Sequence, residues 1–183
     1  FILTSSPSMD ILISSNLERL IYTIAGQDAE RNADLMSQLR DRGSYEITPE
    51  MKERLADFEG GFATEEETKE AIRTTYERTG YVMDTHTAVA SSVCAKYRKD
   101  SGDQKKCLIA STASPYKFIH SVMSAIDEKY ASVDEFELID ELSRISGTEI
   151  PGAIQEIRNA QIRHNRECDA DKMKETVKEI LSV

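Results

Sequence analysis

The chain has 183 residues, of which 39% are apolar and 31% charged, a balance that fits a globular protein and excludes wholesale disorder. A net charge of −10 argues against nucleic acid as a partner, because binding phosphates calls for a basic face. The longest apolar run falls far short of the ~20 residues a membrane span needs, so no membrane partner is expected either.

In chain order, Phe1-Ile-Leu-Thr4 reads as a strand, and residues 1–17 as strand and loop entering the fold. A start at Phe1, with the first methionine at Met9, points to a segment missing upstream. Ser15-Asn-Leu-Glu18 has the form of a capping box, with Leu17, Leu20, Ile21 and Ile24 at helical spacing and Gly26 closing the helix. Ser44-Tyr-Glu-Ile47 alternates weakly, as a strand does, and Thr48-Pro49-Glu50 opens another helix. Thr64-Glu-Glu-Glu67 is a second capping box, ahead of Ala71, Ile72 and Tyr76, and Gly80 ends that helix. Residues 18–80 therefore read as a helical insertion.

Residues 81–157 read as an α/β part with a site-facing loop. Asp84 starts a helix that carries His86, Thr87, Val89, Val93 and Tyr97. Cys107-Leu-Ile-Ala110 is short and apolar, which predicts a buried strand leading into a helix at Ser114-Pro115. Ser132-Val-Asp-Glu135 opens a helix through Phe136, Ile139 and Leu142, ending before Gly147. Residues 158–183 close the chain with an amphipathic helix bearing Met173, Val177, Ile180 and Leu181. The fold class expected is α/β and helix-rich, with few strands and many helices, in one segment.

Chemistry has few places to sit. Cys94, Cys107 and Cys168 are odd in number and form no Cys-x-x-Cys pair, which suits a reducing cytoplasm, and Cys94 reads as a small core residue. The three histidines and the cysteines lack zinc spacing, so no metal is expected. Gly60-Gly61 is an isolated pair rather than a phosphate cradle. Three polar stretches remain. Ser111 and Thr112 would lie beyond the end of a strand, where open sheets bind ligands, or would belong to a helix cap and a turn. His86 sits at a helix N-terminus, which attracts anions, or is a half-buried polar residue behind the Asp84 cap. Ser6 and Ser8 either present hydroxyls and amides to a ligand or close a loop.

Together these stretches carry a resemblance. Ser6-Pro-Ser-Met-Asp-Ile-Leu-Ile-Ser-Ser-Asn-Leu-Glu-Arg-Leu20 is similar to a signature of threonine synthases. Asp84-Thr-His-Thr-Ala-Val-Ala90 resembles the family's Asp-Pro-His-Thr-Ala segment, and Ser111-Thr-Ala-Ser-Pro-Tyr-Lys-Phe118 its Ser-Thr-Ala-His-Pro-x-Lys-Phe segment. The likeness covers roughly residues 1–157, with Thr85 standing where proline is usual and Ser114 where histidine is common.

The resemblance implies the C-terminal part of a pyridoxal-phosphate-dependent lyase of the tryptophan-synthase-β-like class (fold type II), with the cofactor between two lobes. Such enzymes convert O-phospho-L-homoserine and water to L-threonine and phosphate. By that likeness Thr112 would hydrogen-bond the pyridine nitrogen and Ser111 would flank it, with Ser6, Ser8 and His86 near the substrate. No catalytic residue is expected in this chain: the family's Schiff-base lysine and phosphate loop lie upstream, and Lys117 is read as structural or as a charged group near the site. The chain alone would then be inactive, with the N-terminal part of the same enzyme as its partner. Unpaired strand edges would favour self-association. The competing reading is a helix-rich, non-catalytic interaction or assembly module.

Overall fold

The computed structural model describes residues 2–183 and divides the chain into two units, one running to Glu149 and the other Ile150–Val183. The larger unit carries seven α-helices among its described residues: α1 (Ser15–Ile24), α2 (Ala29–Arg42), α3 (Pro49–Glu53), α4 (Glu65–Thr79), α5 (Thr85–Ser101), α6 (Ile119–Ile126) and α7 (Glu135–Ser146). Helix α1 packs on α2, α4 packs on both α5 and α6, and α7 packs on α6.

Polar end signals fix most of these boundaries. Thr48 caps α3, with Pro49 at the first turn. Thr64 and Glu67 form the reciprocal capping box of α4, satisfying two amide donors that the helix itself leaves open. Gly43, Gly80, Gly102 and Gly147 end α2, α4, α5 and α7 in the left-handed conformation. Two starts differ from expectation. Ser14, not Ser15, caps α1 by accepting the Leu17 amide. Asp134, not Ser132, caps α7, because residues Glu128–Ser132 are already wound into a 3-10 turn.

Two sets of apolar side chains hold the larger unit. Ile21, Ile24, Leu35 and Met51 form one core, with Tyr45 and Ile47 packed against it. Ile72, Val122, Met123, Leu138 and Leu142 are buried on α4, α6 and α7. Between α7 and the turn before it, Glu141 accepts hydrogen bonds from Tyr130 Oη (2.5 Å) and, through both carboxylate oxygens, from Arg144. These partners, Arg144 first, hold its carboxyl down at about 2.

Among the described residues there is no strand, which corrects the α/β expectation. Strands need ladder partners for their amides and carbonyls, and none is present here. Residues 44–47 form no regular element, and their two alternate side chains Tyr45 and Ile47 reach the first core without a ladder partner. Residues 107–110 form no regular element and are not buried: Leu108 is 97% exposed. Phe1 lies outside the described residues, and Ile2 and Leu3 beside it are exposed. The edge-pairing route to self-association thus lacks its strand among the described residues.

Gly61 has a packing reason rather than a phosphate-binding one. A Cβ there would stand 2.6 Å from Val93 Cγ1 on α5, whereas one at Gly60 would meet nothing within 4 Å. Valine is stiff in a helix, so the backbone has to yield. Gly61→Ala is expected to destabilise by about 1–3 kcal/mol and Gly60→Ala by under about 0.5 kcal/mol, read as midpoints of urea unfolding. Equal midpoints for the two variants would refute the close approach.

The smaller unit contains α8 (Gly152–Arg158) and α9 (Met173–Leu181), with a 3-10 turn at Ala170–Lys172 leading into α9. Met173, Val177, Ile180 and Leu181 are all more than half exposed. No helix of the described residues is long and apolar enough to cross a membrane.

Candidate functional site

The start of α5 is organised by one carboxylate. Asp84 is wholly buried, and its Oδ1 accepts the amides of His86 (2.9 Å) and Thr87 (3.3 Å). Its Oδ2 accepts the Thr87 hydroxyl in a short contact. Burying a carboxylate is costly unless donors surround it, and here the helix N-terminus supplies them together with its dipole.

This arrangement orients two further groups. The Ser8 amide donates to His86 Nε2 (3.2 Å), so the ring proton belongs on Nδ1, which faces Asp84 Oδ1 at 3.3 Å. The imidazole also lies against Phe118, ring centroids 4.7 Å apart. Thr87 has a single hydroxyl proton, and Asp84 takes it. The 2.9 Å contact between Thr87 Oγ1 and Ser111 Oγ is therefore donated by Ser111. A line of polarised hydroxyls thus runs Ser111 to Thr87 to Asp84, joining α5 to the segment before α6.

These groups border a cavity of about 350 Å³ lined by Ser8, His86, Thr87, Thr112, Lys117 and Phe118, with Ala90, Ala110 and Ala113 supplying small wall positions. The Thr112 hydroxyl has no hydrogen-bond partner among the described residues. Lys117 holds its ammonium 5.4 Å from the Phe118 ring centroid. Ser114 accepts the Tyr116 amide and so caps the turn that leads into α6.

The serine-rich loop divides between two cavities. Ser8 borders the one just described, whereas Ser6 borders a second, of about 680 Å³, lined also by Thr4, Ile11, Leu12 and Phe62. Ser6 is buried, its hydroxyl 3.0 Å from Thr4 Oγ1, and Thr4 in turn donates its amide and hydroxyl to Asp10. Glu65 of α4 accepts the Ser5 amide at 3.0 Å. Of the residues singled out from sequence, His86, Ser8 and Thr112 therefore share one cavity, Ser111 joins it through Thr87, and Ser6 stands aside. Thr87 and Asp84 were undervalued as a plain cap. The Asp-x-x-Thr spacing, which sets both side chains on one helix start, was the available signal.

Comparison with known proteins bears on the same region. Residues 87–168 match the family described as "Threonine synthase, C-terminal". Threonine synthase-like 1 from Macaca fascicularis is 38% identical over 129 residues, spanning 69% of this chain and 17% of that protein. Threonine synthase from Saccharomyces cerevisiae is 34% identical over 162 residues, 78% of this chain and 31% of that protein. A crystal structure of threonine synthase from yeast superposes over 99% of this chain and 37% of its own, with a TM-score of 0.70 and 27% identity. Threonine synthase from Brucella melitensis, in a PLP-bound structure, gives a TM-score of 0.61 and 34% identity over 68% of this chain and 26% of its own. The chain thus spans well under half the length of these relatives.

Proposed function

Because this chain belongs to the threonine synthase family, we propose that it forms one wall of the cofactor site in an enzyme making L-threonine and phosphate from O-phospho-L-homoserine and water. Pyridoxal phosphate, when bound in the complete enzyme, supplies the electron sink that such a β,γ-replacement of phosphate by water requires. The residues present fit its ring. The observation that carries the reading is the unpartnered Thr112 hydroxyl on a cavity wall between two alanines, beside a prearranged Ser111.

Each residue then has a task set by its chemistry. Thr112 offers a neutral hydroxyl to the pyridine nitrogen. Ser111, having given its proton to Thr87, keeps its oxygen lone pairs for a donor on the ligand. His86, with its proton on Nδ1, holds the Ser8 loop against the cavity and, with Phe118, narrows its mouth. Lys117 contributes positive charge toward an anionic cofactor and substrate. The remaining walls would come from the N-terminal part of the same enzyme, and the chain alone would not turn over.

Phosphate release from O-phosphohomoserine in the presence of pyridoxal phosphate tests this reading. It is to be measured on the chain alone and on the chain joined to the coding region directly upstream. Release by the joined protein only is the expected result. Silence in both would remove the enzymatic reading and favour an interaction module, and release by the chain alone would overturn its role as a single wall.

A further inference from the structure

Two thiols outside the Asp84 network are held together by the loop that follows α5. Gly102 reverses the chain in the left-handed conformation, and Arg98 then binds it back, donating to the carbonyls of Asp103 (3.3 Å) and Lys105 (2.9 Å). Cys94 lies one helical turn before Arg98 on the same face of α5. Cys107 returns alongside it, and the two Sγ atoms stand 2.8 Å apart, within an ångström or so of the roughly 2.05 Å of a bonded pair. Neither thiol is in the core: Cys94 is half-buried and Cys107 exposed, which corrects the reading of Cys94 as a core residue. They border an open cleft of about 470 Å³ together with Tyr97, Leu108 and Ala110.

We infer that Cys94 and Cys107 form a reversible disulfide by exchange with a small disulfide such as oxidised glutathione, making this pair a redox modification site. The exposed Cys107 meets the reagent first. Its thiolate attacks one glutathione sulfur, forming a mixed disulfide and releasing one glutathione thiolate. The Cys94 thiolate then attacks the Cys107 sulfur and releases the second glutathione. Two protein thiols lose two electrons and two protons in total, and one glutathione disulfide becomes two glutathiones. Contact with Cys107, and then desolvation, push the Cys94 thiol up, so the more exposed Cys107 is the thiol that meets the reagent. The bond would staple to α5 the segment that leads to Ser111 and Thr112, and a consequence for that site rests on the function proposed above.

The test treats the intact protein with oxidised glutathione under native conditions, followed by acid quench, non-reducing digestion and mass spectrometry. The expected product joins the Cys94 and Cys107 peptides, exceeds their glutathione adducts by about tenfold or more, and is undone by dithiothreitol. Cys168, exposed in the other unit, carries glutathione and serves as the internal control. Cys94→Ser is expected to convert Cys107 into a lasting glutathione adduct, and urea to abolish the pairing preference. Cys94 and Cys107 both carrying glutathione, both staying free while Cys168 reacts, or pairing equally well in urea would each overturn the inference. The peptides are read without any turnover, so a silent phosphate assay would count against the proposed reaction and leave the disulfide standing.

Discussion

Replacing Asp84 by alanine is expected to lower the unfolding free energy by about 3 kcal/mol, the sum of a lost N-cap and a buried hydroxyl deprived of its charged acceptor. The cap alone is worth about 1 kcal/mol. The larger share comes from Thr87, which is 6% exposed and has only the neutral Ser111 oxygen to replace the carboxylate as acceptor, and from the two amides left with none. Four donors converge on the one carboxylate, so its removal is felt by the amides of His86 and Thr87, the Thr87 hydroxyl and the His86 ring together.

Asp84→Asn separates the shape of this group from its polarity. An asparagine oxygen still accepts the two amides, so the helix start survives and the expected cost is only about 1 kcal/mol. Its amide nitrogen, however, is a donor where Oδ2 was an acceptor. Thr87 then has to receive from it and donate its own proton to Ser111, which reverses the line of hydroxyls and frees the Ser111 proton for another acceptor. Urea midpoints of the two variants measure the difference. An alanine variant within about 0.5 kcal/mol of the parent would mean that the carboxylate does not organise this region.

Much of the architecture was legible where single residues act locally. Thr48-Pro49, Thr64 with Glu67, Asp84, Gly80 and Gly147 each mark a helix end through a bond or a dihedral angle set within a few residues. The same reasoning slipped by one or two positions at Ser15 and Ser132, where a neighbouring Ser14 or Asp134 offers an equally good oxygen. Strands were not legible in this way. Cys107-Leu-Ile-Ala110 has the composition of a buried strand, yet a strand is made by its neighbour, and Leu108 stands exposed where no neighbour is present.

The site was legible as words in order, less so as geometry. His86 and Thr112 border one cavity, and Ser111 is tied to its wall through Thr87, although 25 positions separate His86 from Ser111. What joins them is the Asp84–Thr87–Ser111 relay and the Ser8 amide on His86, contacts between residues 24 and 78 positions apart. Helix periodicity has no access to such pairs. The nearness of Cys94 to Cys107 was hidden for a similar reason, since it depends on Arg98 folding the loop back through backbone carbonyls.

Thr112→Val in the complete enzyme is expected to cut turnover about 2- to 10-fold, the equivalent of the roughly 0.5–1.5 kcal/mol that a hydrogen bond between neutral groups contributes. The substitution keeps the volume and branching of the side chain and removes only the hydroxyl. Thr112 is exposed, lines the cavity and has no partner for that hydroxyl among the described residues, so stability should move by under about 0.5 kcal/mol. Thr112→Ser restores a hydroxyl at the same position and is expected to recover most of the rate. Steady-state phosphate release and urea midpoints on the three proteins supply both readouts. A residue that served only the fold would move stability and turnover together. Loss of turnover at constant stability, with rescue by serine, is the pattern that follows if the hydroxyl meets the cofactor. A valine variant as active as the parent would take Thr112 out of the site.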